Sequence, residues 1–254
     1  MFDRICLMVP TYKRSDRLLP RFIDSALARA ADPRRLRFSF CVNAADPATG
    51  AYLRTRDWPV GQGWEVLLED SRSPDLSRFF NFLYEGSQFC NRGTLVSMLG
   101  DDMVFETQNY DERILEAANR TRGKAIIYCN DAYRAGSRIC VNLFTSRDLV
   151  AATGKPFMCP LFRADMIDLV WTYVGTLTRT LVYLPETIIK HDHSTAYPEA
   201  RWDEAYQRLH PLQQSYKNRE SHALAFGYAT VVARNLVASG IGHRPSTSRT
   251  PSWE

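Results

Sequence analysis

Short apolar runs alternate with longer amphipathic stretches along this chain. Ile5–Val9, Arg37–Val42, Trp64–Leu68, Leu95–Leu99 and Ala125–Cys129 are brief and bounded by polar positions, the pattern of strands buried on both faces. Between them, Asp16–Ala31 carries Leu18, Leu19, Phe22, Ile23 and Leu27 at helical spacing, with Pro20 predicting a distorted first turn. Tyr52–Arg56 predicts a short helix, and Leu76–Gln88 and Asp111–Arg122 predict longer ones. Asp111 and Glu112 suit the positive N-terminal end of the last of these. The β-α-β-α order predicts an α/β fold, a mostly parallel sheet covered by helices on both faces. After about residue 138 the pattern changes. Ile139–Phe144, Thr180–Leu184 and Thr187–His193 predict strands, while Ala164–Trp171, Glu199–Leu209 and Ser221–Ser239 predict helices. The stretch 240–254, rich in Ser, Thr, Pro and Arg, predicts a flexible tail.

Composition narrows this picture without changing it. A chain of 254 residues buries one large core or two small ones, and 45% hydrophobic with 24% charged residues is a soluble globular balance. No apolar run reaches the roughly 18 residues that span a bilayer. The start, Met1-Phe2-Asp3-Arg4, lacks a signal-peptide pattern, so a cytoplasmic protein is expected. The six Cys are scattered, form no CxxC pair and lie mostly in apolar runs, which predicts free buried thiols. Net charge is +4, with 27 Arg against 5 Lys, weak support for an anionic partner.

The candidate chemistry starts at Leu95-Val96-Ser97-Met98-Leu99-Gly100-Asp101-Asp102-Met103, where an apolar run ends in two carboxylates. Open α/β folds bind ligands at the carboxyl edge of the sheet. Adjacent like charges are most at ease beside a cation, and oxygen ligands suit Mg²⁺ or Mn²⁺, which usually also hold substrate phosphates. A solvated turn after a strand carries the same residues equally well.

Taken with other segments, this motif resembles the glycosyltransferases of the GT-A (Rossmann-like) fold, close to their family 2. The opening strand ends in Val9-Pro10-Thr11-Tyr12-Lys13-Arg14, similar to the family's Pro-Thr-Tyr step followed by a basic residue. The resemblance implies that this loop, with Pro10, Thr11, Tyr12 and Arg14, borders the nucleotide. Asn43 stands where the family has a base-binding Asp, with Asp46 following; alternatively, the two shape a turn. Glu69-Asp70-Ser71 and Leu76-Ser77-Arg78-Phe79-Phe80-Asn81 resemble a donor-binding segment in which Arg78 pairs with a phosphate and Asn81 braces the carboxylate loop. The alternative is a surface Arg78 and a structural Asn81. Asp101-Asp102 resembles the Asp-x-Asp metal motif, with Met103 in place of its last Asp. Asp102 is then the metal contact and Asp101 the ribose or sugar contact, or the reverse. Ala164-Asp165 falls on the family's acidic pair, making Asp165 the candidate base and Asp168 its reserve; helix capping by Asp165 is the other reading. The late run Leu184–His193 resembles a strand ending in a metal-binding His, with His193 preferred over His191. Tyr197, Trp171 and Trp202 are possible acceptor contacts or core aromatics.

The resemblance spans about residues 5–193. It implies one domain, 1–239, with a nucleotide-sugar-binding half (1–130) and an acceptor-side half with C-terminal helices (131–239). The implied activity is metal-dependent (Mn²⁺ or Mg²⁺), inverting transfer from a nucleotide-diphosphate sugar, UDP-linked, to an acceptor hydroxyl. The default acceptor is a bacterial glycan. A modified base in DNA is the alternative, with Arg34, Arg35, Arg37, Arg54 and Arg56 as phosphate contacts or as a solvated basic face. Nucleotidyl transfer is disfavoured because Val9–Asp16 contains no Gly for a phosphate loop. A non-catalytic sugar-binding module is a third class, kept open by Met103 and Asn43.

Overall fold

Alternation along the first strand sets the layers. In the computed structural model, which describes residues 1–70, 75–133, 139–163, 166–192 and 218–243, β1 (Arg4–Thr11) is buried on both faces. Ile5, Leu7 and Val9 enter one apolar cluster, and Cys6 and Met8 enter the other, as a period of two requires. The first cluster is closed by α1 (Leu18–Arg29), through Leu19, Phe22, Ile23 and Ala26, and by α4 (Tyr110–Arg120). The second is closed by α3 (Leu76–Gly86), α6 (Ile167–Thr178) and α7 (Arg219–Ala238). A sheet thus covered on both sides is the expected α/β architecture. None of the helices described is long and apolar enough to cross a membrane.

The eight strands run in the order β3-β2-β1-β4-β7-β6-β8-β5. Here β2 is Leu36–Asn43, β3 Gly63–Glu69, β4 Thr94–Met98, β5 Met103–Phe105, β6 Ile126–Asn130, β7 Leu143–Ser146 and β8 Leu181–His191. Pairing is parallel from β3 through β4. It then turns mixed: β7 is antiparallel to both β4 and β6, and β5 is antiparallel to β8.

Boundaries differ from expectation where side chains compete with the ladder. The strand expected from Ile139 begins only at Leu143, because Asn142 uses its side chain to accept from Cys129 N and donate to Ile189 O. The two strands expected at Thr180–Leu184 and Thr187–His193 are one over the described residues, Leu181–His191. Its register against β6 shifts between Cys129↔Leu184 and Asn130↔Ile188, an irregularity at Pro185, which cannot donate to the ladder. The short helix expected at Tyr52 starts earlier, as α2 (Pro47–Thr55), with Asp46 accepting from Thr49 N and Pro47 opening the first turn. Pro20 sits in the first turn of α1, where its missing N–H costs little. Two elements had no sequence signal: β5 is too short to alternate, and α5 (Arg147–Ala152) follows β7 directly. Asp111 does more than favour a helix terminus: fully buried, it accepts from Ala31 N and Asp32 N and ties α4 to the end of α1. The helix expected at Glu199–Leu209 lies outside the described residues. All six cysteines are free and buried.

The second half leans on a close helix–sheet approach. Nine of the twelve residues of α6 are buried, so it is a core helix rather than an amphipathic one. A Cβ on Gly175 would lie 2.5 Å from Leu181 Cγ, so glycine is what lets α6 settle against β8.

Candidate functional site

Two loops meet at the carboxyl edge of the central strands. The first follows β1. Lys13 adopts a left-handed backbone (φ 52°), and its N–H donates to Asp46 Oδ2 at 2.6 Å. Arg14 O accepts from Leu19 N, which carries the loop into α1, and the Arg14 side chain turns inward. The second loop follows β4. Met103 N donates to Gly100 O, closing a tight turn that presents Asp101 and Asp102. A Cβ at Gly100 would collide with Asp102 Oδ1, so glycine clears the space for that carboxylate. Beyond the turn, β5 pairs with β8 so that Met103 faces His191, and Asp192 N donates to Asp102 O. This pairing delivers an imidazole, about 90 residues away in sequence, to the acidic turn.

The result is a buried charge cluster. Arg14 forms an ion pair with Asp101, and its Nη1 lies 3.8 Å from Asp102 Oδ2. The same Asp102 oxygen lies 3.5 Å from His191 Nε2. Side-chain exposures of 7% for Arg14 and 8% for Asp102 make these interactions far less screened than surface pairs. Burial pushes the Asp101 carboxyl up to about 6 against the pull of Arg14, and the adjacent Asp102 charge adds to the rise. Burial also pulls the His191 imidazole down. Asp102, by charge and hydrogen bond, with Asp131 and Asp168 behind it, outweighs that and holds it above its ordinary value. Around this centre, Asp131 O accepts from His191 N, and Asp192 pairs with Arg21 and with Lys190.

The cluster places two adjacent carboxylates together, with an imidazole against one of them. Asp101 Oδ2 is buried with no well-formed hydrogen bond among the described residues. The Asp102 carboxylate is an oxygen donor of the kind that Mg²⁺ or Mn²⁺ takes, and the His191 imidazole lies 3.5 Å from it. Among the described residues, no group of three or more His, Cys, Asp or Glu side chains is placed to hold a metal ion. Asp165 and His193, the expected base and the preferred metal histidine, lie outside the described residues, as do Tyr197 and Trp202. Asp168 is half-buried in the first turn of α6 and contributes to the field at His191.

Most of the other expected site residues make local contacts, the alternative the sequence left open for Asn43, Asp46 and Asn81. Asn43 Oδ1 accepts from Ala45 N, and both Asp46 oxygens are engaged, by Lys13 N and Thr49 N. These two residues shape the turn after β2. Asn81 was expected to brace the carboxylate loop; it instead brackets Met158, donating to its O at 3.1 Å and accepting from its N at 2.7 Å. Arg78 was expected to pair with a phosphate; it pairs with Glu69 at 2.6 Å. Asp70 is exposed and lines a cavity of about 500 Å³ with Glu69, Arg78, Asn81 and Phe82. Thr11 is buried beside Asp101, Pro10 is buried in β1, and Tyr12 is half-buried with Lys13 over its ring. Trp171 is a core residue whose indole donates to Phe157 O. Of the five arginines offered as DNA contacts, Arg34 and Arg35 pair with Asp32, Arg56 pairs with Asp24, and Arg37 donates to carbonyls.

Gly100, Arg21, Asp131 and Asp192 are parts of the site to which the sequence assigned no role. Asp131 directly follows the β6 run and Asp192 sits between two histidines, but only the pairing of β8 with β5 and β6 gives either a meaning.

Solved structures share this architecture. A mannosyltransferase from Pyrobaculum calidifontis, PcManGT, in complex with GDP-Man and Mn²⁺, has a TM-score of 0.59 at 12% identity, over 94% of this chain and 76% of that one. S. aureus TarS 1–349 has a TM-score of 0.58 at 10% identity, over 92% and 72%. Its complex with UDP-GlcNAc has 0.57 at 11%, over 92% and 73%. No protein-family model matches the sequence, and no curated protein does. The fold is GT-A.

Proposed function

We propose that this chain transfers a sugar from a nucleotide-diphosphate sugar, UDP-linked in our reading, to an acceptor hydroxyl, with inversion and with Mn²⁺ or Mg²⁺. The observation that carries the reading is the buried Arg14–Asp101–Asp102–His191 cluster at the carboxyl edge of a GT-A sheet. Known structures of this fold include complexes with GDP-Man and Mn²⁺ and with UDP-GlcNAc, which supports a nucleotide-sugar donor.

In this reading Asp102 and His191, with His193 as a further candidate, hold the metal ion, and Asp101 faces the ribose or sugar. When bound, the ion supplies positive charge against the diphosphate that leaves. Pro10, Thr11 and Tyr12 border the nucleotide. Asp165, or Asp168 one helical turn on, takes the proton of the acceptor hydroxyl. The acceptor oxygen bonds to the anomeric carbon as that carbon's bond to the diphosphate oxygen breaks on the opposite face. The diphosphate departs with the electron pair, and the single displacement inverts the centre. The default acceptor is a glycan.

Turnover against UDP- and GDP-sugars, with and without Mn²⁺, tests the assignment. Metal-dependent release of the nucleoside diphosphate is expected. Its absence across the whole panel overturns the reading, and undiminished activity in Asp165→Asn and Asp168→Asn overturns the base assignment.

A further inference from the structure

Asp102 Oδ2 is shared. It faces His191 Nε2 at 3.5 Å and Arg14 Nη1 at 3.8 Å, while Arg14 also holds Asp101. We infer that Arg14 is a resident counter-ion, a positioning residue that holds the Asp101–Asp102 pair ready and makes divalent-metal binding conditional on a diphosphate. The inference rests on the metal-binding reading of this cluster.

The argument is electrostatic. Two adjacent buried carboxylates repel each other and are costly to desolvate, so an empty site needs a cation of its own. Arg14 supplies it from the β1 loop, in a place fixed by the turn around Lys13 and the start of α1. A dication approaching Asp102 meets that guanidinium within a few ångströms, in surroundings where charges are poorly screened. Repulsion then opposes binding of the ion alone. A diphosphate arriving with the ion brings negative charge that offsets Arg14. Metal and diphosphate therefore enter together, and binding of each strengthens the other equally.

Binding of Mn²⁺ to the full chain, followed by electron paramagnetic resonance, reads this directly. Mn²⁺ is titrated alone, with UDP, with GDP and with inorganic pyrophosphate. For the native protein, affinity is expected to rise about tenfold or more with a diphosphate present. In Arg14→Gln, Mn²⁺ alone is expected to bind about tenfold tighter, and the gain on adding a diphosphate to shrink. Arg14→Lys keeps the charge and is expected to keep the native linkage. A purely structural Arg14 predicts the opposite for Arg14→Gln, weaker Mn²⁺ binding alongside a lower melting temperature, and that result overturns the inference. Equal Mn²⁺ affinity of the native protein with and without every diphosphate overturns it without any variant. Absence of Mn²⁺ binding under all conditions removes the metal-dependent function together with it.

Discussion

Two corners of the same sheet edge use their polar groups in opposite ways. After β4, Asp101 and Asp102 are buried with Arg14 and His191 on their side chains, and one oxygen of the pair has no well-formed bond among the described residues. After β2 and β3, Asn43, Asp46 and Glu69 spend their oxygens on backbone N–H groups or on Arg78. The first corner keeps its carboxylates against charged side chains; the second fixes the shape of the loops around it. A polar residue at a strand exit is therefore not a site by virtue of its position. What separates the two cases is whether its acceptors are already satisfied locally.

Changes in the first corner are expected to cost activity more than stability. Asp102→Asn keeps the volume but removes the charge, and should lower kcat/KM by about 100-fold or more with little change in melting temperature. A variant of near-native activity would move the β4 corner into the same class as the β2 corner. Gly100→Ala should follow. The added Cβ displaces the Asp102 carboxylate, and a loss of about 10–100-fold is expected, with a raised Mn²⁺ requirement in steady-state assays.

Changes in the second corner should reverse that order. Asp46→Ala removes the α2 cap and the acceptor for Lys13 N, at a cost of about 1–2 kcal/mol by urea denaturation. Activity should fall less than in Asp102→Asn. If the loss instead appears as a raised KM for the donor at unchanged stability, Asp46 touches the nucleotide and the contrast between the corners weakens. The smallest effect is expected for Asn43→Ala, which removes an exposed turn bond and should stay within about 1 kcal/mol of native stability.

The parallel half of the sheet was legible because its strands are local signals. Ile5–Val9, Arg37–Val42, Trp64–Leu68 and Leu95–Leu99 are short and mainly apolar, and the helices between them carry a one-sided stripe. The mixed half was not. The three-residue β5 has no period to detect, and the offset at Pro185 in β8 hides one strand as two. In the site, the acid pair stood out because two carboxylates end an apolar run. The roles of Asn43, Asp46 and Asn81 did not, because an Asn or Asp that caps a turn and one that meets a ligand look alike in sequence.

By itself, the order of apolar and polar residues determined the layer arrangement, the parallel core and the place where carboxylates reach the edge, since these follow from periodicities of a few residues. Only the tertiary structure decided that Arg14 lies against Asp101 and that His191 comes to Asp102. Those contacts join residues far apart in the chain, and they exist because β8 pairs with β5 and the β1 loop folds back, events that no local pattern encodes.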